Sequence, residues 1–141
     1  RIMEAHENYT QQHQNIREEG SIAYGDVLEH VNFEYAAKLT AVNAISLASL
    51  AWAPTPPETV ALGGAVAPAA TFSWDAVPGA VGYKIYWRDT TSPTWDMSRN
   101  VGNVTSFTLK GMVVDNYFFG VSAVGANGQE SVVKFPNKIQ R

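Results

Sequence analysis

Trp74-Asp75-Ala76-Val77-Pro78-Gly79-Ala80, followed closely by Gly82-Tyr83-Lys84-Ile85-Tyr86-Trp87-Arg88, is the stretch that decides how this chain folds. Val77-Pro78-Gly79 punctuates it: proline presets one backbone angle and glycine frees the next, which makes a turn between two extended runs. After the turn Tyr83, Ile85 and Trp87 alternate with Lys84, Tyr86 and Arg88, and before it Phe72 and Trp74 alternate with Thr71 and Ser73. A period of two, apolar on one side, is the mark of a strand with one face buried. Similar runs rich in β-branched and aromatic residues occur at 59–62, 70–74, 83–88, 97–101, 106–109, 117–124 and 132–135. Thr91-Ser92-Pro93, Val101-Gly102-Asn103 and Ala126-Asn127-Gly128 separate several of them, and Asn127-Gly128 is a strong hairpin signal. Short strands at this spacing, with no helical period, predict a seven-stranded antiparallel sandwich over residues 58–141.

The sequence before residue 54 has another texture. Ala53-Pro54-Thr55-Pro56-Pro57 places three prolines within four residues. Each proline lacks a donor and disfavours helix in the residue before it, so 54–57 reads as a helix stop and a stiff linker. Residues 1–30 are polar and interrupted by Gly20 and Gly25, a loop with at most short helical or strand pieces. From Asn32, a good N-cap residue, the pattern turns helical through Leu39, Val42, Ile45, Leu47 and Leu50, predicting a helix over 33–52. Residues 39–53 are apolar but number fewer than the roughly 17–25 needed to span a bilayer. Leaving Leu39, Val42, Ile45, Leu47, Leu50 and Trp52 wet forgoes about 9–18 kcal/mol, comparable to the roughly 5–15 kcal/mol net stability of a domain. This helix therefore demands cover, and self-association through 33–52 is one expected source of it.

Composition narrows the function. Thirteen acidic against ten basic residues in 141 give a net charge of −3, which offers no field for nucleic acid. The absence of cysteine excludes disulfides, iron–sulfur clusters and thiol nucleophiles. All three histidines, His6, His13 and His30, precede the linker, near Glu4, Glu7, Asp26 and Glu29. No His-Glu-x-x-His occurs, so spacing alone defines no metal site. The sandwich segment has no histidine and is expected to be non-catalytic. Asn8-Tyr9-Thr10 and Asn103-Val104-Thr105 match the N-glycosylation triplet, but in a chain expected to be bacterial they read as chance. The opening Arg1-Ile2-Met3-Glu4 has neither an initiator methionine nor a charged-then-apolar leader, so the chain is expected to be a piece of a longer polypeptide.

The run from Trp74 through Arg88, with Phe107-Thr108-Leu109, the run from Tyr117 to Val124, and Asn127-Gly128-Gln129-Glu130-Ser131, resembles a fibronectin type III domain over about 57–135. The resemblance implies that Trp74 packs between the sheets and that Tyr117 forms a tyrosine corner, although Val114-Asp115-Asn116 stands where the family carries Pro-Gly. Trp95, Trp87 and Tyr86 are the candidates for an aromatic binding surface.

The stretch Glu7-Asn8-Tyr9-Thr10-Gln11-Gln12-His13-Gln14, then Tyr24-Gly25-Asp26, then Val31-Asn32-Phe33-Glu34-Tyr35 and the helix, resembles the carboxyl end of the bacterial two-zinc, leucyl-aminopeptidase-like metallopeptidases. The resemblance implies that His13 is the last zinc ligand of the parent site, that Asp26 is the acidic residue following it, and that 33–52 is the closing helix of a peptidase domain. The spacing between His13 and Asp26 is longer than the family's. Zinc would then belong to the parent enzyme, with none expected bound by this chain alone. The expectation is a non-catalytic C-terminal part of a secreted, periplasmic or cell-surface aminopeptidase: 1–53 closes a peptidase domain that precedes it, 54–57 links, and 58–141 is accessory. The alternative is a stand-alone binding or adhesion module.

Overall fold

The computed structural model describes residues 6–65 and 67–139. They form two compact units that divide between Leu47 and Ala48.

In the first unit, β1 (Arg17–Glu19) and β2 (Ile22–Tyr24) make a short antiparallel hairpin in which Arg17 pairs with Tyr24 and Glu19 with Ile22. A 3-10 turn at Leu28–His30 leads towards the helix α1 (Phe33–Trp52), whose bounds match the expected 33–52. Asn32 caps it as its side-chain type requires: the Oδ1 accepts the Tyr35 N–H at 3.0 Å. Thr40, Asn43 and Ser46 donate to the carbonyls of Ala36, Leu39 and Val42, four residues back, so the polar residues of the helix satisfy themselves locally. No residue of α1 is buried. No helix among the described residues is long and apolar enough to cross a membrane.

The second unit is the expected sandwich. Its strands are β3 (Val60–Gly63), β4 (Ala69–Trp74), β5 (Ala80–Asp89), β6 (Met97–Gly102), β7 (Ser106–Lys110), β8 (Tyr117–Gly125) and β9 (Lys138–Ile139). One sheet has the order β7-β4-β3-β9 and the other β6-β5-β8. Alternation sets what each strand buries. Tyr83 and Ile85 point inward from β5, Phe72 and Trp74 from β4, and Phe119, Val121 and Ala123 from β8. Phe72 and Phe119 meet edge to face at 5.3 Å across the sheets, and Trp74 lies 5.4 Å from Tyr83. Trp74 thus lies in the core between the sheets. Its indole N–H has no partner among the described residues.

Two details differ from expectation. The run at 132–135 is not a continuous strand. Residues 130 to 134 flank β8 through only two isolated bridges, Glu130 with Val124 and Lys134 with Val121, and span one residue more than the stretch they oppose. Such an excess residue breaks a ladder in the manner of a bulge, and Pro136 then removes the next donor. Beyond it β9 pairs in parallel with β3. Asn137 secures that crossing: its Oδ1 accepts the Val60 N–H at 2.9 Å and its Nδ2 donates to the Glu58 carbonyl at 3.0 Å. The second detail concerns the linker. Pro57 is fully buried in this unit, so the prolines end as part of the sandwich.

Candidate functional site

Two places carry the residues singled out in the sequence. The first is the loop before α1. Asn8 opens a turn in which its Oδ1 accepts the Thr10 N–H at 3.1 Å and the Thr10 hydroxyl at 2.7 Å, while its carbonyl receives the amides of Gln11 and Gln12. The turn ends at His13, which adopts a left-handed backbone with φ of 54°. Few side chains tolerate that region; histidine is among the more tolerant. The hairpin β1–β2 then loops out and returns. The Gly25 N–H donates to the Thr10 carbonyl at 3.2 Å and the Asp26 N–H to the Gln14 carbonyl at 3.1 Å. Gly25, with φ of 149°, could not carry a side chain there without strain, since a Cβ would stand 3.2 Å from Ile16 Cγ1. The long spacing between His13 and Asp26 is thus taken up by a hairpin, and the two backbone segments run side by side.

His6, His13 and His30 are all exposed. Zinc is the metal the resemblance implies, and the described residues do not fit a complete zinc site. No three histidine, aspartate or glutamate side chains among them converge, whereas zinc takes three or four protein ligands. Arg1 and Glu4 lie outside the described residues. The loop offers at most a single ligand, His13, to a site completed by other residues.

The second place is the outer face of the β6-β5-β8 sheet. Of the three aromatic candidates, Trp87 faces the other way and packs against the core. Tyr86 and Trp95 share the outer face, their rings 6.1 Å apart. Trp95 is only half-buried: Phe135 lies 5.1 Å away, and the Arg88 guanidinium sits 5.4 Å from the Trp95 ring and 4.8 Å from Phe118. The loop that carries Trp95 is wired by Asp96. That carboxylate accepts the hydroxyls of Ser92 and Thr94, and these bonds hold it below the usual carboxylate range. Gly120 supplies the floor. A Cβ at this position would fall 2.3 Å from Val133 Cγ1 and 3.4 Å from Trp95 Cη2, so the irregular segment after β8 can close over the sheet only above a glycine.

Beside the aromatic group lies a polar knot that the sequence did not announce. Glu130 accepts hydrogen bonds from the Tyr86 hydroxyl, from Lys84 Nζ at 3.1 Å and from Ser122 Oγ at 3.2 Å. Burial pushes the Glu130 carboxyl up, but the bonds from Tyr86 and Lys84 and the lysine charge outweigh it, and the carboxyl titrates below its ordinary value. Burial, followed by the bond to Glu130, holds the Tyr86 hydroxyl above its ordinary value. Lys84 is raised as well, mainly through its contact with Tyr86, against some desolvation. Glu130 was legible only as part of the turn after Asn127-Gly128. Tyr117 packs 6.0 Å from Phe119 at the start of β8 and lies against the core. The tyrosine hydroxyl that accepts a backbone N–H is Tyr83, from Val77 at 2.7 Å.

Comparison with known proteins bears on both places. No family model matches the chain. A "probable zinc metalloprotease" of Pyrenophora tritici-repentis is 38% identical over 143 residues, covering 96% of this chain and 33% of that protein. One from Pyrenophora teres f. teres is 37% identical over 143 residues, covering 96% of this chain and 31% of that protein. The chain therefore spans about a third of the length of the curated relatives it matches. These relatives are fungal, where the resemblance implied a bacterial source. Among solved structures, an Fn3-like protein from Clostridium thermocellum is 26% identical, covers 62% of this chain and 93% of its own, and has a TM-score of 0.46. An fn3 domain of a human collagen alpha-1(XX) chain is 20% identical, covers 64% and 90%, and also has a TM-score of 0.46. The β unit is a two-sheet, mainly antiparallel β-sandwich, and fibronectin type III domains are among the structures it is similar to.

Proposed function

We propose that this chain is the non-catalytic C-terminal part of a zinc metalloprotease, in which α1 closes the peptidase domain and the sandwich is an accessory module. The observation that carries the reading is the 38% identity over 96% of this chain to a protein named as a probable zinc metalloprotease, only 33% of which it spans. The exposure of α1 supports it. A twenty-residue helix with no buried residue is the form such an element takes when its natural neighbours belong to another part of the protein.

The finer reading is an exported aminopeptidase, with His13 as one zinc ligand and Asp26 beside it. The metal would supply the Lewis acid and the activated water of such an enzyme. This chain's share is a histidine held in an unusual backbone conformation by the turn before it and the hairpin after it. The outer-face pair Tyr86 and Trp95 is the surface through which the accessory module would meet a partner or substrate.

In the longer polypeptide, His13→Ala should lower zinc content by metal analysis. It should also cut hydrolysis of an aminoacyl p-nitroanilide by more than the roughly 10–100-fold that follows loss of an outer-shell metal partner. Unchanged zinc content would remove His13 from the site. The 141-residue chain with added zinc should show no turnover. Turnover that His13→Ala abolishes would overturn the non-catalytic reading.

A further inference from the structure

The loop at 103–105 joins β6 directly to β7, and each of these strands lies at the edge of its sheet, β6 in β6-β5-β8 and β7 in β7-β4-β3-β9. One side of the sandwich therefore presents two unpaired strand edges with three residues between them. Exposed edges template pairing with other chains unless something blunts them. The three residues are Asn103-Val104-Thr105, an acceptor triplet for asparagine-linked sugar. Asn103 and Thr105 are exposed, and no hydrogen bond among the described residues uses the Asn103 side chain. The space beside it is open: a Cβ on neighbouring Gly102 would meet nothing within 4 Å.

We propose that Asn103 is an N-glycosylation acceptor, and that its oligosaccharide shields the adjoining edges of β6 and β7. In the transfer, Asn103 Nδ2 attacks the anomeric carbon of an oligosaccharide carried on a polyprenyl pyrophosphate. The N–C bond forms as the bond from that carbon to the pyrophosphate oxygen breaks. The lipid pyrophosphate leaves with the electron pair, and Nδ2 gives up one proton. Once folded, the sandwich loses nothing to the modification, because the loop contributes to the fold through its backbone: the Thr105 carbonyl accepts the Trp74 N–H at 2.9 Å. The second triplet is a different case. Asn8 and Thr10 are bonded to each other in the turn that presents His13, and under the reading above that turn faces the peptidase body. The proposal rests on that reading only for the compartment in which transfer takes place, and the test supplies its own leader.

The chain is translated behind a cleavable leader in the presence of endoplasmic-reticulum microsomes, and the protease-protected product is digested with trypsin. Residues 100–110 form one tryptic peptide that contains this triplet and no other. The expected result is a glycopeptide whose enzymatic deglycosylation leaves aspartate at position 103, retained in Thr105→Ser and lost in Thr105→Ala. An unmodified peptide from protected chain overturns the acceptor and leaves the protease reading untouched. For the shielding role, secreted Thr105→Ala should aggregate earlier on warming than Thr105→Ser, and enzymatic deglycosylation of Thr105→Ser should reproduce the difference. Equal aggregation of glycosylated and bare protein overturns the shielding.

Discussion

Leu47 on α1 is 68% exposed, whereas Phe72 on β4 is 0% exposed, although both are large apolar residues in regular structure. The sandwich closes its own core: two sheets face each other and alternation sends Phe72, Ile85, Phe119 and Val121 inward. The helix has apolar residues at Val42, Ile45, Leu47, Leu50 and Trp52, all exposed. The side chains of Thr40, Asn43 and Ser46 turn back on the helix's own carbonyls, while its apolar surface finds no such cover. The sandwich is closed by burial, and the helix buries no residue at all. Since burial supplies most of the stability of a folded domain, the two should answer differently to the same kind of mutation.

The largest effect falls in the sandwich. Phe72→Ala removes a fully buried ring that meets Phe119 edge to face at 5.3 Å. It should cost about 3–5 kcal/mol, a large part of the roughly 5–15 kcal/mol that holds a domain. Urea unfolding followed by tryptophan fluorescence measures it. A cost comparable to that of an exposed helix position would break the comparison outright.

A middle-sized effect tests the knot around Glu130. Glu130→Gln replaces a carboxylate that accepts from Tyr86, Lys84 and Ser122, and because the site is partly open to water the loss should be about 1 kcal/mol at neutral pH. The pH dependence gives the sign. The Glu130 carboxyl is depressed in the folded state, first against burial and then by its donors. Its contribution is complete above the ordinary glutamate range, about pH 4.3, and fades as pH falls through the lower folded value. Tyr86, raised chiefly by burial, and Lys84, raised chiefly by Tyr86, stabilise below their ordinary ranges and lose that contribution as pH rises through their higher folded values. The wild-type stability profile should therefore slope at both ends. Glu130→Gln should flatten the acid slope and shift the alkaline one downward in pH, as followed by thermal melts across pH. An unchanged acid slope would mean that the carboxylate is solvated rather than held.

How much of this was readable beforehand follows the same division. The alternation about Val77-Pro78-Gly79 gave away the two facing strands because a period of two has no other use. Asn32 and the spacing from Leu39 to Leu50 placed α1 because capping and helical period are local properties. What stayed hidden depends on residues far apart in the chain. The crossing of β9 to β3 rests on Asn137 reaching Val60 and Glu58, and nothing in residues 132–135 announces that they follow β8 with one residue too many. Trp95 stood as a surface candidate without its neighbours, because Phe135 and Arg88, which hold it, belong to other segments. The loop before α1 was similar. The residues between His13 and Asp26 looked like a spacing fault until β1 and β2 folded them into a hairpin. Trp87 could not be told from Tyr86 as a surface candidate by type, but its parity with Tyr83 and Ile85 already put it on the inner face.

The smallest effect is the most informative about α1. Ile45→Lys together with Leu47→Lys puts two charges on helix positions that are 66% and 68% exposed. In the 141-residue chain each should change stability by no more than about 0.5 kcal/mol, as exposed substitutions usually do, and helix content by circular dichroism should hold, since lysine is nearly as good a helix former as leucine. The same pair in the longer polypeptide should be severe, because there the positions would be buried and unpaired charge in a dry interface is costly. It is the contrast between the two backgrounds that carries the test. If the double variant is equally silent in both, α1 packs on nothing, and its apolar surface needs another explanation. If it is already damaging in the short chain, by lowering the apparent mass in light scattering or the midpoint of unfolding, then copies of this chain cover one another's helices and the missing neighbour is a second α1.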